Sequence, residues 1–198
     1  MGGSLTGLGA YEINHCMRVA RLCKFWMDLM PWLELDWKRL IAAAQVHDFG
    51  KKEINPAILN KKDCLTDLDW AEIQRHPEWS KNWVISHIGD PKIATIVFQH
   101  HESLNGKGYP TKTTEILPEA SVLKICDVFD ALTCDREYRK GYSYETALTI
   151  MQEEARVSKL SASFMDMFTD ILKTNSAEKF QIVSRHPCPT KTGAPSEG

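Results

Sequence analysis

The strongest constraint on the fold is the spacing of apolar residues near the start of the chain. Ile13, Cys16, Met17, Ala20, Cys23 and Met27 recur at intervals of three and four, which lines one face of an α-helix and suits no strand. The period returns in Leu40, Ile41, Ala44 and His47, in Ile93, Ile96, Val97 and His100, and in Val122, Leu123, Ile125, Cys126, Phe129 and Leu132. Pro31, Pro77, Pro91 and Pro118 punctuate these runs, ending helices or starting them. No stretch alternates convincingly as a strand, and there is no internal repeat. The expected class is all-α, a single bundle of about six to eight helices.

Local signals set the expected boundaries. A first helix opens at Tyr11 and stops before Pro31. Asp36 caps a second, from Trp37 to about Asp48, with Gly50 placed to end it. Thr66-Asp67-Leu68-Asp69 reads as a capping box with Asp in the usual place of Glu. His76-Pro77 interrupts the pattern that follows, and a helix resumes through Trp79, Trp83, Val84 and Ile88, whose tryptophans read as core or rim packing. Residues 102–118 are the least helical, and Pro118 starts the next helix. Helices over 144–154 and 162–172 complete the set. Residues 1–10 form a Gly-rich, flexible N-terminus. Residues 11–174 form the folded domain, and 175–198 a polar tail expected to be disordered.

Composition narrows the partners. The 198 residues are 43% hydrophobic, enough for a sizeable core, and the formal net charge is −2. Without a basic field, extended nucleic acid is excluded as the expected partner. A small anion held by a local basic cluster stays open. The six cysteines form no CxxC pair and read as free thiols in a reducing cytoplasm. No basic-then-apolar leader stands at the N-terminus, and no apolar run reaches the ~20 residues of a membrane span. A cytoplasmic protein is expected.

The chemistry centres on His47-Asp48, at the end of an apolar run and followed by Gly50-Lys51. Neighbours on a helix point about 100° apart, so the pair can flank one point. A nitrogen donor beside a carboxylate suits a borderline divalent metal. Alone the pair proves little. A compact bundle can, however, also gather His15, His76, His100 and His101, leaving out His87 and His186. Asp127 sits in an apolar helix, where a buried carboxylate needs a partner, and Asp130 can share its face.

The ordered set His15, His47-Asp48 with Gly50-Lys51, His76, His100-His101 and Asp127 resembles the HD superfamily of metal-dependent phosphohydrolases. His100-His101-Glu102 followed by Gly106-Lys107-Gly108-Tyr109-Pro110 is similar to its HD-GYP branch. So is Asp127-Val128-Phe129-Asp130-Ala131-Leu132-Thr133 followed by Asp135-Arg136-Glu137-Tyr138-Arg139. The resemblance implies a multi-helix domain that hydrolyses cyclic di-GMP to pGpG, or onward to GMP, by attack of a metal-bridging hydroxide. It implies two divalent ions, iron or manganese. One would take His15, His47, Asp48 and Asp127, the other Asp48, His76, His100 and His101, with Asp48 bridging. Catalysis would rest on Asp48 and Lys51. Lys51, Gly108, Tyr109, Arg136 and Arg139 would face the substrate.

These residue types suit the reaction on their own terms. Two metals about 3.5–4 Å apart can ionise a bridging water and screen phosphate charge. Lys51 can neutralise a phosphate oxygen or protonate the leaving alkoxide, and Arg136 and Arg139 offer planar forks for phosphate. The Gly-Tyr-Pro loop can also face a partner protein.

Three positions depart from the branch. Tyr11 stands where some members carry a Glu that supports a third metal, so two metals are expected. Glu137 replaces a common Pro, and Asn105 a common Asp. Other readings are another cyclic dinucleotide or nucleotide as substrate, and a non-catalytic module that binds a cyclic dinucleotide and signals.

Overall fold

The structure, a computed structural model, describes residues 8–61, 63–135 and 140–174. Among the described residues it is helical throughout: α1 (Ala10–Leu29), α2 (Trp37–Val46), α3 (Pro56–Leu59), α4 (Asp67–Ile73), α5 (His76–His87), α6 (Pro91–Gln99), α7 (Pro118–Thr133), α8 (Tyr144–Arg156) and α9 (Ala162–Thr174). A 3₁₀ segment, Phe49–Glu53, follows α2. Eight of the helices have seven residues or more, as the periodicity leads one to expect. The ninth, α3, is a single turn in what reads as a plain connection.

The caps explain most starts. Asp36 accepts from Arg39 N at 3.2 Å, and Asp90 from Lys92 N and Ile93 N. Thr66 and Asp69 form the reciprocal box expected of them. Pro77, Pro91 and Pro118 lie in the first turns of α5, α6 and α7, where the missing N–H costs nothing. Pro77 therefore starts a helix after α4 has ended.

Helices α1, α2, α6 and α7 pack around one core, with α5 against α6 and with α8 and α9 covering α7. The α1 stripe is rotated from the sequence expectation. Val19, Leu22, Cys23 and Trp26 are buried, whereas Met17 is 40% exposed. Trp26 stacks on Phe168, and Phe129 meets the same ring edge-on, both with centroids 5.2 Å apart. Truncating such a buried aromatic to Ala costs about 3–5 kcal/mol. The tryptophans of α4 and α5 are peripheral: Trp70 is exposed and Trp83 packs edge-on against Phe49.

Gly50 does not end α2. That helix stops at Val46, and Gly50 lies inside the 3₁₀ segment, fully buried. A Cβ there would stand 2.1 Å from the His76 carbonyl oxygen and 2.7 Å from Ser80 N. Gly50 N donates to Ser80 Oγ at 2.7 Å. The residue is glycine because two backbones meet there. That contact presses His47 and Asp48 against the start of α5, which carries His76.

Candidate metal centre

The five expected histidines converge on Asp48. His15 comes from α1, His47 follows α2, His76 opens α5, and His100 and His101 follow α6. Asp127 comes from α7. Asp48, at 1% exposure, points its two oxygens in two directions. Oδ1 lies 3.3 Å from His76 Nε2 and 4.0 Å from His100 Nε2. Oδ2 lies 3.6 Å from both His15 Nε2 and His47 Nε2. Asp127 Oδ1 completes the second side, 3.0 Å from His15 Nε2 and 3.8 Å from His47 Nε2. His101 has a ligand atom within 4.8 Å of those of Asp48, His76 and His100.

The far ring nitrogens explain why the near ones point inward. Nδ1 of His47, His76 and His100 donates to the carbonyl three residues back: Ala44 (2.8 Å), Ile73 (2.7 Å) and Val97 (2.5 Å). His15 Nδ1 instead donates to the Asp130 carboxylate at 2.7 Å. Each bond makes Nδ1 the donor and leaves Nε2 facing the centre, the orientation of a metal-binding imidazole. His101 makes no such bond. Its ring lies between His100 (centroids 4.0 Å) and Tyr109 (4.6 Å).

This donor set fits divalent ions. His47 Nε2 and Asp48 Oδ1 are buried with no hydrogen-bond partner, which is costly unless something occupies the space between them. Donors about 2.1 Å from an ion stand about 3.0 Å apart in an octahedron and about 3.4 Å apart in a tetrahedron. The 3.0 Å from His15 to Asp127 and the 3.3 Å from His76 to Asp48 fall in that range, and the other spacings, 3.6–4.0 Å, lie above it.

The electrostatics divide along the same line. Burial lowers the affinity of His15 for a proton, but bonds to Asp127 and Asp130 overcome this and raise its pKa to about 9. His47, buried but beside Cys16, Asp48 and Asp127, is also raised to about 9. Burial and the neighbouring His47 and His76 push His100 down to about 3. Burial and its two histidine neighbours likewise push His101 far down. Asp48 and Asp127 stay ionised despite burial, held by Lys51 and the surrounding histidines.

Residues 11–163 match the HD-domain family. The chain belongs to that family. Among characterised proteins it is similar to 3′3′-cGAMP-specific phosphodiesterase 3 of Vibrio cholerae, at 31% identity over 145 residues, 72% of this chain and 32% of that protein. It is also similar to cyclic di-GMP phosphodiesterase PA4108 of Pseudomonas aeruginosa, at 33% identity over 156 residues, 76% of this chain and 38% of that protein. The chain thus spans about a third of the length of these relatives. Among solved structures, the HD domain of the Listeria monocytogenes phosphodiesterase PgpH in complex with cyclic-di-AMP has a TM-score of 0.65 at 15% identity, covering 89% of this chain and 92% of that one. Bd1817, a HDG"Y"P protein from Bdellovibrio bacteriovorus, has a TM-score of 0.63 at 23% identity, covering 81% and 52%. Those two likenesses are of fold.

Around the centre of this HD domain the other expected residues fall into place unevenly. Lys51 Nζ lies 2.5 Å from Asp48 Oδ2, its side chain 27% exposed. Partial withdrawal from water opposes the charge, but Asp48 outweighs it and raises the pKa of this ammonium, so Lys51 is a cation. In the loop, Gly106 has φ +69°. Gly108 is a close approach, where a Cβ would stand 2.4 Å from Ser103 N. Tyr109 stacks on His101. Asn105 Nδ2 donates to Val157 O at 2.8 Å, a bond that an Asp carboxylate could not make. Arg136 and Arg139, with Glu137, lie outside the described residues, as does His186. His87 is exposed and stacks on Trp83, away from the centre.

Two basic groups with long-range partners escaped the sequence reading, the buried Arg18 and the half-buried Lys124. Arg18 donates through Nε and Nη2 to Asp130 at 2.7 and 2.9 Å, so Asp130 both holds His15 and is held by Arg18. Arg18 and Asp130 are 112 residues apart, and nothing local marks an Arg one turn after His15 as buried. Lys124 on α7 donates to Glu102 O and Ser103 Oγ at 2.6 and 2.7 Å.

Proposed function

We propose that this chain is a metal-dependent phosphodiesterase that opens a cyclic dinucleotide, with cyclic di-GMP, cleaved to pGpG or onward to GMP, as the first substrate reading. The observation that carries this is Asp48: one buried carboxylate with a histidine set facing each oxygen. One ion would be held by His15, His47, Asp48 and Asp127, the other by Asp48, His76, His100 and His101. Iron or manganese suits this mixture of imidazole and carboxylate. Bound divalent ions supply Lewis acidity, screening phosphate charge and acidifying water.

The chain's own residues supply the rest. Asp48 stays ionised and holds both sides of the site in register. The outer hydrogen bonds of His15, His47, His76 and His100 keep those rings preorganised, so no side chain has to swing during turnover. Lys51, protonated at the edge of the centre, neutralises a phosphate oxygen or delivers a proton to the leaving alkoxide. Tyr109, stacked on His101, offers its ring as a platform beside the phosphates. Arg136 and Arg139 keep their proposed role as phosphate contacts.

A second substrate reading, 3′3′-cGAMP, is favoured by the names of two relatives from Vibrio cholerae. Incubating protein loaded with Mn, or with Fe under reducing conditions, with each dinucleotide and chromatographing the products separates the readings. Conversion of cyclic di-GMP to pGpG supports the first, and cleavage of 3′3′-cGAMP alone the second. Binding without turnover by fully metallated protein would instead make the chain a signalling module.

A further inference from the structure

Residue 102 lies where the metal-binding end of α6, the Gly-Tyr-Pro loop and α7 meet. Glu102 is 1% exposed and immediately follows His101. Its Oε1 accepts from Thr111 N and Thr111 Oγ1 at 2.6 and 2.7 Å, closing the loop on itself just beyond Tyr109-Pro110. Tyr109 N donates to His101 O at 3.3 Å, and the Gly108 backbone presses on Glu102 Cα. From the other side, Lys124 Nζ donates to Glu102 O and Ser103 Oγ. Lys124 lies one helical turn before Asp127, so its ammonium ties the helix carrying Asp127 to the segment carrying His101.

We propose that Lys124 is a positioning residue: by fixing the 102–103 backbone it sets His101 and Tyr109 against Asp127 and governs one half of the metal centre. This rests on the two-metal reading above. It also explains an asymmetry. His47, His76 and His100 each carry a carbonyl anchor and His15 a carboxylate anchor, whereas His101 has no hydrogen bond from either ring nitrogen among the described residues. Its position depends on Tyr109 and on the backbone that Lys124 holds. Lys124 is half-buried, and an ammonium drawn partly out of water costs free energy unless it is paired. Burial lowers the Lys124 pKa to about 8, against Glu154, Asp127 and Glu102. Its two hydrogen bonds to the 102–103 segment offset that cost.

The test is a Mn(II) titration of full chain, followed by the EPR signal of free Mn(II), on wild type, Lys124→Met, Lys124→Arg and Thr111→Val. Thr111 is exposed, so its variant keeps the question answerable if Lys124→Met does not fold. Lys124→Met is expected to weaken one of the two sites by about 10-fold or more, in the range for lost outer-shell support, with the other unchanged. KM should rise more than kcat falls, because Tyr109 moves with His101. Lys124→Arg should restore most of the affinity, and Thr111→Val should weaken the same site by about 3-fold. Unchanged affinities in both Lys124→Met and Thr111→Val, or equal weakening of both sites, would overturn the inference. The wild-type arm reports separately on the parent reading, through two bound ions and turnover of the same sample.

Discussion

The two sides of Asp48 are built from different materials. The His15, His47 and Asp127 side adds a second carboxylate, and its His15 is backed by charge, with Asp130 behind His15 and Arg18 behind Asp130, while His47 rests on the Ala44 carbonyl. The His76, His100 and His101 side is all imidazole, set on helix ends and a loop, and backed by neutral carbonyls. The first side attracts protons and the second repels them, as the opposite shifts of His15 and His100 show. A cation of any kind therefore meets an anion-rich half and a neutral half. If each half holds an ion, as proposed, the two should be separable by substitution.

The largest effect should come from removing what the halves share. Asp48→Asn is expected to lower phosphodiesterase activity by on the order of 10³-fold, about 4 kcal/mol, and to weaken metal binding on both sides. Loss on one side alone, read by metal titration, would mean that Asp48 is not shared.

Next comes the contact that presses the halves together. Gly50→Ala places a carbon 2.1 Å from the His76 carbonyl. It should cost about 1–3 kcal/mol as an overpacked site and weaken the His76 side more than the His15 side. Thermal unfolding and metal titration on one preparation would show both.

Asp130→Asn keeps a hydrogen-bond acceptor for His15 but removes the charge. It should weaken one ion by about 10–100-fold and spare the other. Equal weakening of both ions would erase the distinction between the halves.

The smallest effect is on pH dependence in metal-free protein. His15 and His47 have pKa values raised from 6.5 to about 9. They contribute stability that is fully present below pH 6.5 and lost as pH rises through 9. Chelated protein should therefore lose thermal stability between pH 6.5 and 9, and metal-loaded protein should lose less, because ions replace the protons. Parallel curves for the two forms would contradict the assignment of raised values to this half.

The cluster around Asp48 was legible because the chain writes much of it as local signals: adjacent pairs at His47-Asp48 and His100-His101, and a carboxylate in an apolar helix at Asp127. The helices were legible from period and caps, with errors where one residue type serves two purposes. Gly50 reads as a helix terminator, yet it is glycine because the His76 backbone crosses there. Met17 fits the apolar stripe, but Trp26 and Leu22 draw the buried face of α1 a little around. Arg18 and Lys124 were illegible because their partners are far away in sequence, and a lone basic residue on a helix reads as solvated until the partner is known.

The most direct measurement is metal equivalents per chain in protein purified without chelator, for wild type, Asp130→Asn and Asp48→Asn prepared side by side. The shared-carboxylate account predicts about two, about one and less than one. Retention of the full wild-type complement by Asp48→Asn would contradict it.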